Sequence, residues 1–147
     1  MKKLIVLILP FCLYAQDGPI GSWKDYLSYS SASFIAETED NIYCVANGGL
    51  YYIKKTDESI NRISKITGLS DVSIKQIAHS FDLNTIIITY ENCNIDILIN
   101  NEVVNISDVK RKEYAGIKSI NNITINGSVA YLSSTLGLIL VDIENYQ

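Results

Sequence analysis

NIYCVANGGLYYIKK (Asn41 to Lys55) sets two apolar runs on either side of a short polar turn, and the same arrangement returns twice along the chain. TIIITYENCNIDILI (Thr85 to Ile99) and VAYLSSTLGLILVDI (Val129 to Ile143) are the other two copies. Anchored on Leu50, Ile95 and Leu138, the copies lie 45 and 43 residues apart. Tyr43, Ile88 and Tyr131 stand seven positions before the anchors, and Ile53, Leu98 and Val141 three positions after them. The turns, Ala46 to Gly49, Glu91 to Asn94 and Ser133 to Gly137, are rich in Gly, Asn and Ser, which accept the positive φ that tight hairpins require.

Outward from each hairpin the pattern gains a strand on both sides. Ile35 and Ile123 stand 15 residues before their anchors, and Ile77 stands 18 before its own, the additional residues falling in a turn at Phe81 to Asn84. A fourth strand follows at Ile60 to Ile63 and again at Val103 to Ile106. Four short strands in about 45 residues is the pattern of a propeller blade. Helical repeats of similar period are disfavoured, because the strands are rich in Ile, Val, Tyr and Thr and no helical periodicity is sustained. Runs such as Ile86 to Ile88 and Leu138 to Val141 are continuously apolar, as expected where both faces of a blade pack on neighbouring blades. The expected fold class is all-β: a β-propeller fragment of about three four-stranded blades in an incomplete ring. Gln147 falls inside the third blade, so the sequence reads as the start of a longer protein. Three blades alone would leave two flat apolar faces bare, and the isolated fragment is expected to aggregate or to order only partly.

The 147 residues are 48% hydrophobic and 19% charged, enough apolar surface for a packed core. Met1 to Lys3 is a short positive start, Leu4 to Leu13 is an apolar run, and Ala15 before Gln16 offers a cleavage point. The organisation expected is a signal peptide over residues 1–15 and a partial amino-terminal propeller over 16–147, in a protein exported to the periplasm or the outer-membrane cell surface. The leader is too short to span a bilayer, and no later window is longer, so no transmembrane span is expected in this fragment. Bulky Phe11 before Cys12 argues against a lipoprotein signal.

Removing the leader takes two lysines with it and leaves ten basic against 16 acidic residues. Nucleic acid is therefore not an expected partner, since phosphate binding needs a clustered basic face. The densest basic stretch, Lys110 to Lys112, is flanked by Asp108 and Glu113 and reads as a solvated turn. Cys44 and Cys93 fall at positions of the repeat that do not correspond, so two separate buried thiols are expected rather than a disulfide. With no CxxC pair and a single histidine, His79, no metal site or cofactor is expected.

The stretch Ile66 to Leu98, with its GLSD turn at Gly68 to Asp71, resembles the regulator-type propeller repeat. GSWKDYLSYSSA (Gly21 to Ala32), TYENCNIDIL (Thr89 to Leu98) and GIKSINNI (Gly116 to Ile123) resemble the amino-terminal propeller of the PorZ-like family, components of the Bacteroidetes type IX secretion system. The resemblance covers nearly the whole mature chain. It implies a protein with two propellers and a carboxy-terminal domain in the cell-surface attachment complex, where its partners are other secretion-system proteins and anionic lipopolysaccharide.

Four residues stand out as candidates for a channel or an interface. Asp96 interrupts an apolar strand where the repeat has Tyr51 and Ile139. A buried carboxylate must find partners, so Asp96 either lines a central channel and binds a ligand or accepts hydrogen bonds from the adjacent blade, the second being the commoner fate of buried polar groups. Trp23, Tyr26 and Tyr29 form either a partner-binding patch or part of a strand that closes the ring or covers its edge. Asp71 reads as a turn residue bonded to nearby backbone amides, and Tyr51 and Tyr52 as blade packing. His79 has no Ser or Cys companion in a known motif, and no GxSxG, HExxH or P-loop pattern occurs. The expectation is a non-enzymatic scaffold or adaptor that helps attach exported cargo to anionic lipopolysaccharide. The alternative is a periplasmic glycan-sensing propeller of a hybrid two-component regulator, and a third, weaker reading is a propeller enzyme such as a lyase whose site is completed by further blades.

Overall fold

A computed structural model describes residues 30–147. The expected leader, Cys12, Trp23, Tyr26 and Tyr29 lie outside the described residues.

Three antiparallel sheets follow one another along the chain. The first is β1 (Ala32–Glu37), β2 (Asn41–Ala46), β3 (Gly49–Lys54) and β4 (Ile60–Ile63), hydrogen-bonded in sequence order. The second repeats that order with β5 (Ile74–Ser80), β6 (Thr85–Tyr90), β7 (Ile95–Ile99) and β8 (Glu102–Ile106). A short helix, α1 (Asp108–Arg111), lies in the connector to the third sheet, β9 (Ile120–Asn126), β10 (Val129–Ser134) and β11 (Gly137–Asp142). These are three blades of a β-propeller, the third with three strands among the described residues.

The repeat holds at the level of register. Leu50 pairs with Ile63 and Ile95 with Ile106, so the first and second anchors meet the same position of the fourth strand. The first strand of each of these blades also carries the same irregularity, between Ala32 and Phe34 in β1 and between Ile74 and Gln76 in β5. Asn47 and Gly48 form a two-residue turn with φ of 48° and 74°, the left-handed pair that suits the twist of a hairpin. The turns at Phe81 to Asn84 and Glu91 to Asn94 fall where the sequence placed them, whereas the third hairpin is tighter than expected: β10 runs on to Ser134, leaving only Thr135 and Leu136 between strands.

The blades are held by two apolar layers, one on each face of the central blade. Ile86, Ile88 and Tyr90 of β6 pack with Tyr43, Val45 and Leu50 of the first blade. Ile87, with Ile95 and Ile97 of β7, faces Ile120, Ala130, Leu132 and Val141 of the third. This two-sided burial is why β6 has no wet face and reads as an unbroken apolar run. The third blade differs from expectation, because only alternate residues of β11 are covered: Val141 is buried, while Leu138 and Leu140 are 65% and 56% exposed. Lys75 Nζ donates to Ser119 Oγ at 2.5 Å and Gln76 Nε2 to the Asn121 carbonyl at 3.0 Å, tying β5 to the third blade. The first strands of successive blades pack side by side, β1 against β5 and β5 against β9, and so form the inner wall from which the sheets radiate.

Candidate functional site

Asp96 lies on β7, the third strand out from that inner wall, and it is fully buried. It therefore does not line the axis. Neither do its partners come from the next blade. Tyr90 donates its hydroxyl to Oδ2 at 2.6 Å, the Ser70 backbone N–H donates to the same oxygen at 2.8 Å, and Asn105 Nδ2 donates to Oδ1 at 2.7 Å. Tyr90 and Asn105 belong to the same blade, and Ser70 to the connector that enters it from the first blade. Both carboxylate oxygens are engaged, as a buried carboxylate requires. Burial, and then the hydrogen bond to Asp96, push the Tyr90 hydroxyl well above the usual tyrosine range.

A second network begins one residue after Ser70. Asp71 Oδ1 accepts from the Val72 N–H at 3.0 Å, the local turn bond anticipated from the sequence, but Oδ2 reaches further. It accepts from Asn92 Nδ2 at 2.6 Å and from Lys110 Nζ at 2.6 Å, with Asn94 Nδ2 at 3.4 Å. Lys110 is thus exposed, as expected, but also bonded across to Asp71. It sits in α1, and it joins the connector after the second blade to the connector before it. Burial pushes the Asp71 carboxyl up, but the Lys110 ammonium and the Asn92 amide outweigh that and hold it down at about 2. Lys118 Nζ closes the end of α1 by donating to the Lys110 and Lys112 carbonyls. The basic run is exposed, as expected, but it forms a four-residue helix, which leaves almost no periodic signal in the sequence.

The other singled-out side chains do not join these networks. His79 Nε2 lies 3.4 Å from Asn84 Oδ1, and the ring meets Phe81 edge-on at 4.6 Å, while Nδ1 is buried without a hydrogen bond. Cys44 and Cys93 are free and buried. Tyr52 packs against the first apolar layer, its ring 5.3 Å from that of Tyr43. Among the described residues no group of His, Cys, Asp and Glu could hold a metal ion, and no helix is long and apolar enough to cross a membrane.

Among the cavities that adjoin the first pair of blades, two lie at opposite ends of the strands. An apolar one of about 240 Å³ lies between the β2–β3 turn and the connector at residues 64–73, with Ile63, Ile66, Leu69 and Val72 among its walls. A polar one of about 200 Å³ lies at the opposite ends of the strands, lined by Asp40, Tyr43, Asn84, Asn100 and Asn101 among others.

The family described as the amino-terminal β-propeller domain of PorZ, of the type IX secretion system, matches residues 42–147. The chain belongs to that family. A solved structure of PorZ from Porphyromonas gingivalis, there described as an essential bacterial surface component of the type IX secretion system, is 32% identical and superposes with a TM-score of 0.76 over 81% of this chain. The chain spans 16% of that PorZ chain. No curated protein matches. The three described blades thus have the architecture of a PorZ propeller, and the buried Asp96 and Asp71 networks lie within the matched segment.

Proposed function

We propose that this propeller is a non-catalytic scaffold or adaptor module of a PorZ-like component, exported to the periplasm or the outer-membrane surface and acting in type IX secretion. In this role it works with other secretion-system proteins in attaching cargo to anionic lipopolysaccharide. The observation that carries the reading is the family match over residues 42–147. The internal chemistry supports it: Asp96 and Asp71 are each held by several fixed donors, an arrangement that orients blades rather than one that turns over a substrate.

The test is to purify the full-length tagged protein from its host membrane fraction under mild conditions. Recovery of outer-membrane secretion components with anionic lipopolysaccharide is the expected result. Recovery of neither, with a kinase on the same polypeptide, would replace the adaptor with a glycan-sensing regulator. Turnover of a glycan lost on changing polar residues of the inner wall would replace it with an enzyme.

A further inference from the structure

Charge is divided between the two ends of the first pair of blades. The β1–β2, β3–β4 and β5–β6 turns carry Glu37, Glu39, Asp40, Asp57, Glu58 and Asp82, all exposed, against Lys54 and Lys55. These turns share one end. The polar cavity joins residues of the β1–β2, β5–β6 and β7–β8 turns, and a further cavity of about 460 Å³ joins the β1–β2 turn to Lys55 and to Phe81 and Asn84. At the other end the connector after the second blade brings Lys110, Lys112 and Lys118 together around α1.

The larger cavity lies where the inner wall ends, since Glu37 closes β1 and Phe81 follows directly on β5. Phe81 is 84% exposed, yet it is not a loose side chain: the His79 ring meets it edge-on at 4.6 Å. The phenyl ring is thus braced from the strand while most of its surface stays bare. The cation on the cavity wall is already engaged, for Lys55 Nζ bonds Glu37 at 2.7 Å and donates to the Thr38 carbonyl at 2.7 Å. Glu39, on the same wall, and Asp82, next to Phe81, have side chains without a hydrogen bond or ion pair among the described residues.

A bare, braced aromatic ring beside unpaired carboxylates fits one kind of side chain above others. A guanidinium lays its plane on the ring and offers paired N–H donors to a carboxylate at its edge, whereas an ammonium is a point charge that holds its water more strongly. We propose that the cavity at the acidic end of the blades is a docking site for an arginine-bearing segment of a partner protein, stacked on Phe81 and paired with Glu39. Charge complementarity argues for this occupant, since the surrounding carboxylates attract a cationic segment and repel an anionic one. Arginine and aromatic side chains are also the commonest anchors of protein interfaces. The site goes beyond the adaptor reading and does not depend on it.

The experiment measures fluorescence anisotropy of a labelled peptide of alternating Arg and Gly on the full-length protein, beside the same peptide with Lys in place of Arg. The Arg peptide is expected to bind about threefold more tightly than the Lys peptide, the size of a stacked cation at an exposed ring. Phe81→Leu should remove that preference. Glu39→Lys should weaken both peptides about tenfold, while Glu113→Lys, the same charge change on the connector after α1, should alter neither by more than about twofold. If Glu39→Lys fails to fold, the milder Glu39→Gln gives the same direction. Failure of the Arg peptide to bind overturns the proposal, as do equal binding of the two peptides by the parent protein and an equal loss in Glu113→Lys. Self-association of the protein at low salt, lost both in Phe81→Leu and in Lys112→Glu, would overturn it by giving the acidic end to the basic end of a second copy.

Discussion

Tyr90 donates its hydroxyl to Asp96 Oδ2 at 2.6 Å in the interior of the second blade, and both residues are 0% exposed. The Ser70 N–H and the Asn105 amide supply the other hydrogen bonds to the Asp96 side chain. Removing the acceptor strands the Tyr90 hydroxyl and the Ser70 N–H, while the Asn105 amide keeps Asn94 Oδ1 and the Ile95 carbonyl. Asp96→Ala is expected to cost about 3–5 kcal/mol, and Tyr90→Phe less, about 1–3 kcal/mol, because the phenyl ring keeps the apolar contacts of Tyr90 and leaves one lone pair unmatched. Chemical denaturation of the two variants against the parent chain checks both the size and the order. Equal losses would mean that packing rather than hydrogen bonding decides this site.

The same pair sets an alkaline limit. Tyr90 is raised in the fold, by burial first and by Asp96 second, so the unfolded chain gives up this proton at lower pH than the folded one. Stability from Tyr90 is complete below pH 10.0, the ordinary tyrosine value, and is lost as pH rises beyond it. Tyr90→Phe should flatten the fall in melting temperature above that pH. A fall of unchanged steepness would assign the alkaline limit to other groups.

At the acid end Asp71 is the group to watch. Its carboxyl is held at about 2 against an ordinary 3.8, so its contribution is present above 3.8 and is lost as pH falls through the interval to about 2. Lys110→Met should remove much of this dependence and cost about 1–2 kcal/mol near neutral pH, since it leaves a nearly buried carboxylate with only amide donors. Melting curves between pH 2 and pH 5, with and without Lys110, give the comparison.

Much of this architecture is legible in the sequence because the signals are local. Alternation and turn chemistry within about 15 residues locate the hairpins, and the fourth strand at Ile60–Ile63 falls at the residues expected. The polar networks are not local. Asp96 takes one donor from Ser70, 26 residues earlier, and Asp71 takes one from Lys110, 39 residues later, and both depend on the path of connectors that carry no repeat pattern. That Asp96 is an anomaly was visible at once, because it stands between Ile95 and Ile97. Which groups satisfy it was not, because one of them is a backbone N–H of the connector 26 residues earlier.

Gly48 shows what the stacking demands of a turn. Its φ is 74°, and a Cβ placed there would lie 3.1 Å from the Ser73 Cα, where the β2–β3 turn meets the connector and the Gly48 carbonyl accepts the Ile74 N–H at 2.9 Å. Gly48→Ala combines left-handed backbone strain with crowding against main chain, and should cost about 1–3 kcal/mol. Gly127→Ala is the control: its φ is 59°, but nothing lies within 4 Å of the added carbon, so only the backbone part of the cost remains. The difference between the two melting shifts measures the approach of turn to connector.

The last prediction concerns the two outer blades. Ile95 and Leu138 occupy the same place in the repeat, yet Ile95 is fully buried by the third blade while Leu138 is 65% exposed, and on the first blade Ile35 is 69% exposed. Apolar faces of this kind are stable only when covered, and each fully buried aliphatic side chain is worth about 1.5–3 kcal/mol. The chain of 147 residues produced alone should therefore bind a hydrophobic dye and self-associate. Leu138→Lys with Leu140→Glu should reduce that association, and the same two changes placed in the full-length protein should lower its melting temperature if a further blade covers this face. Size-exclusion chromatography of the fragment and thermal unfolding of the full-length protein read the two halves separately. A monomeric fragment with a sharp unfolding transition and no dye binding would show that these faces need no neighbour.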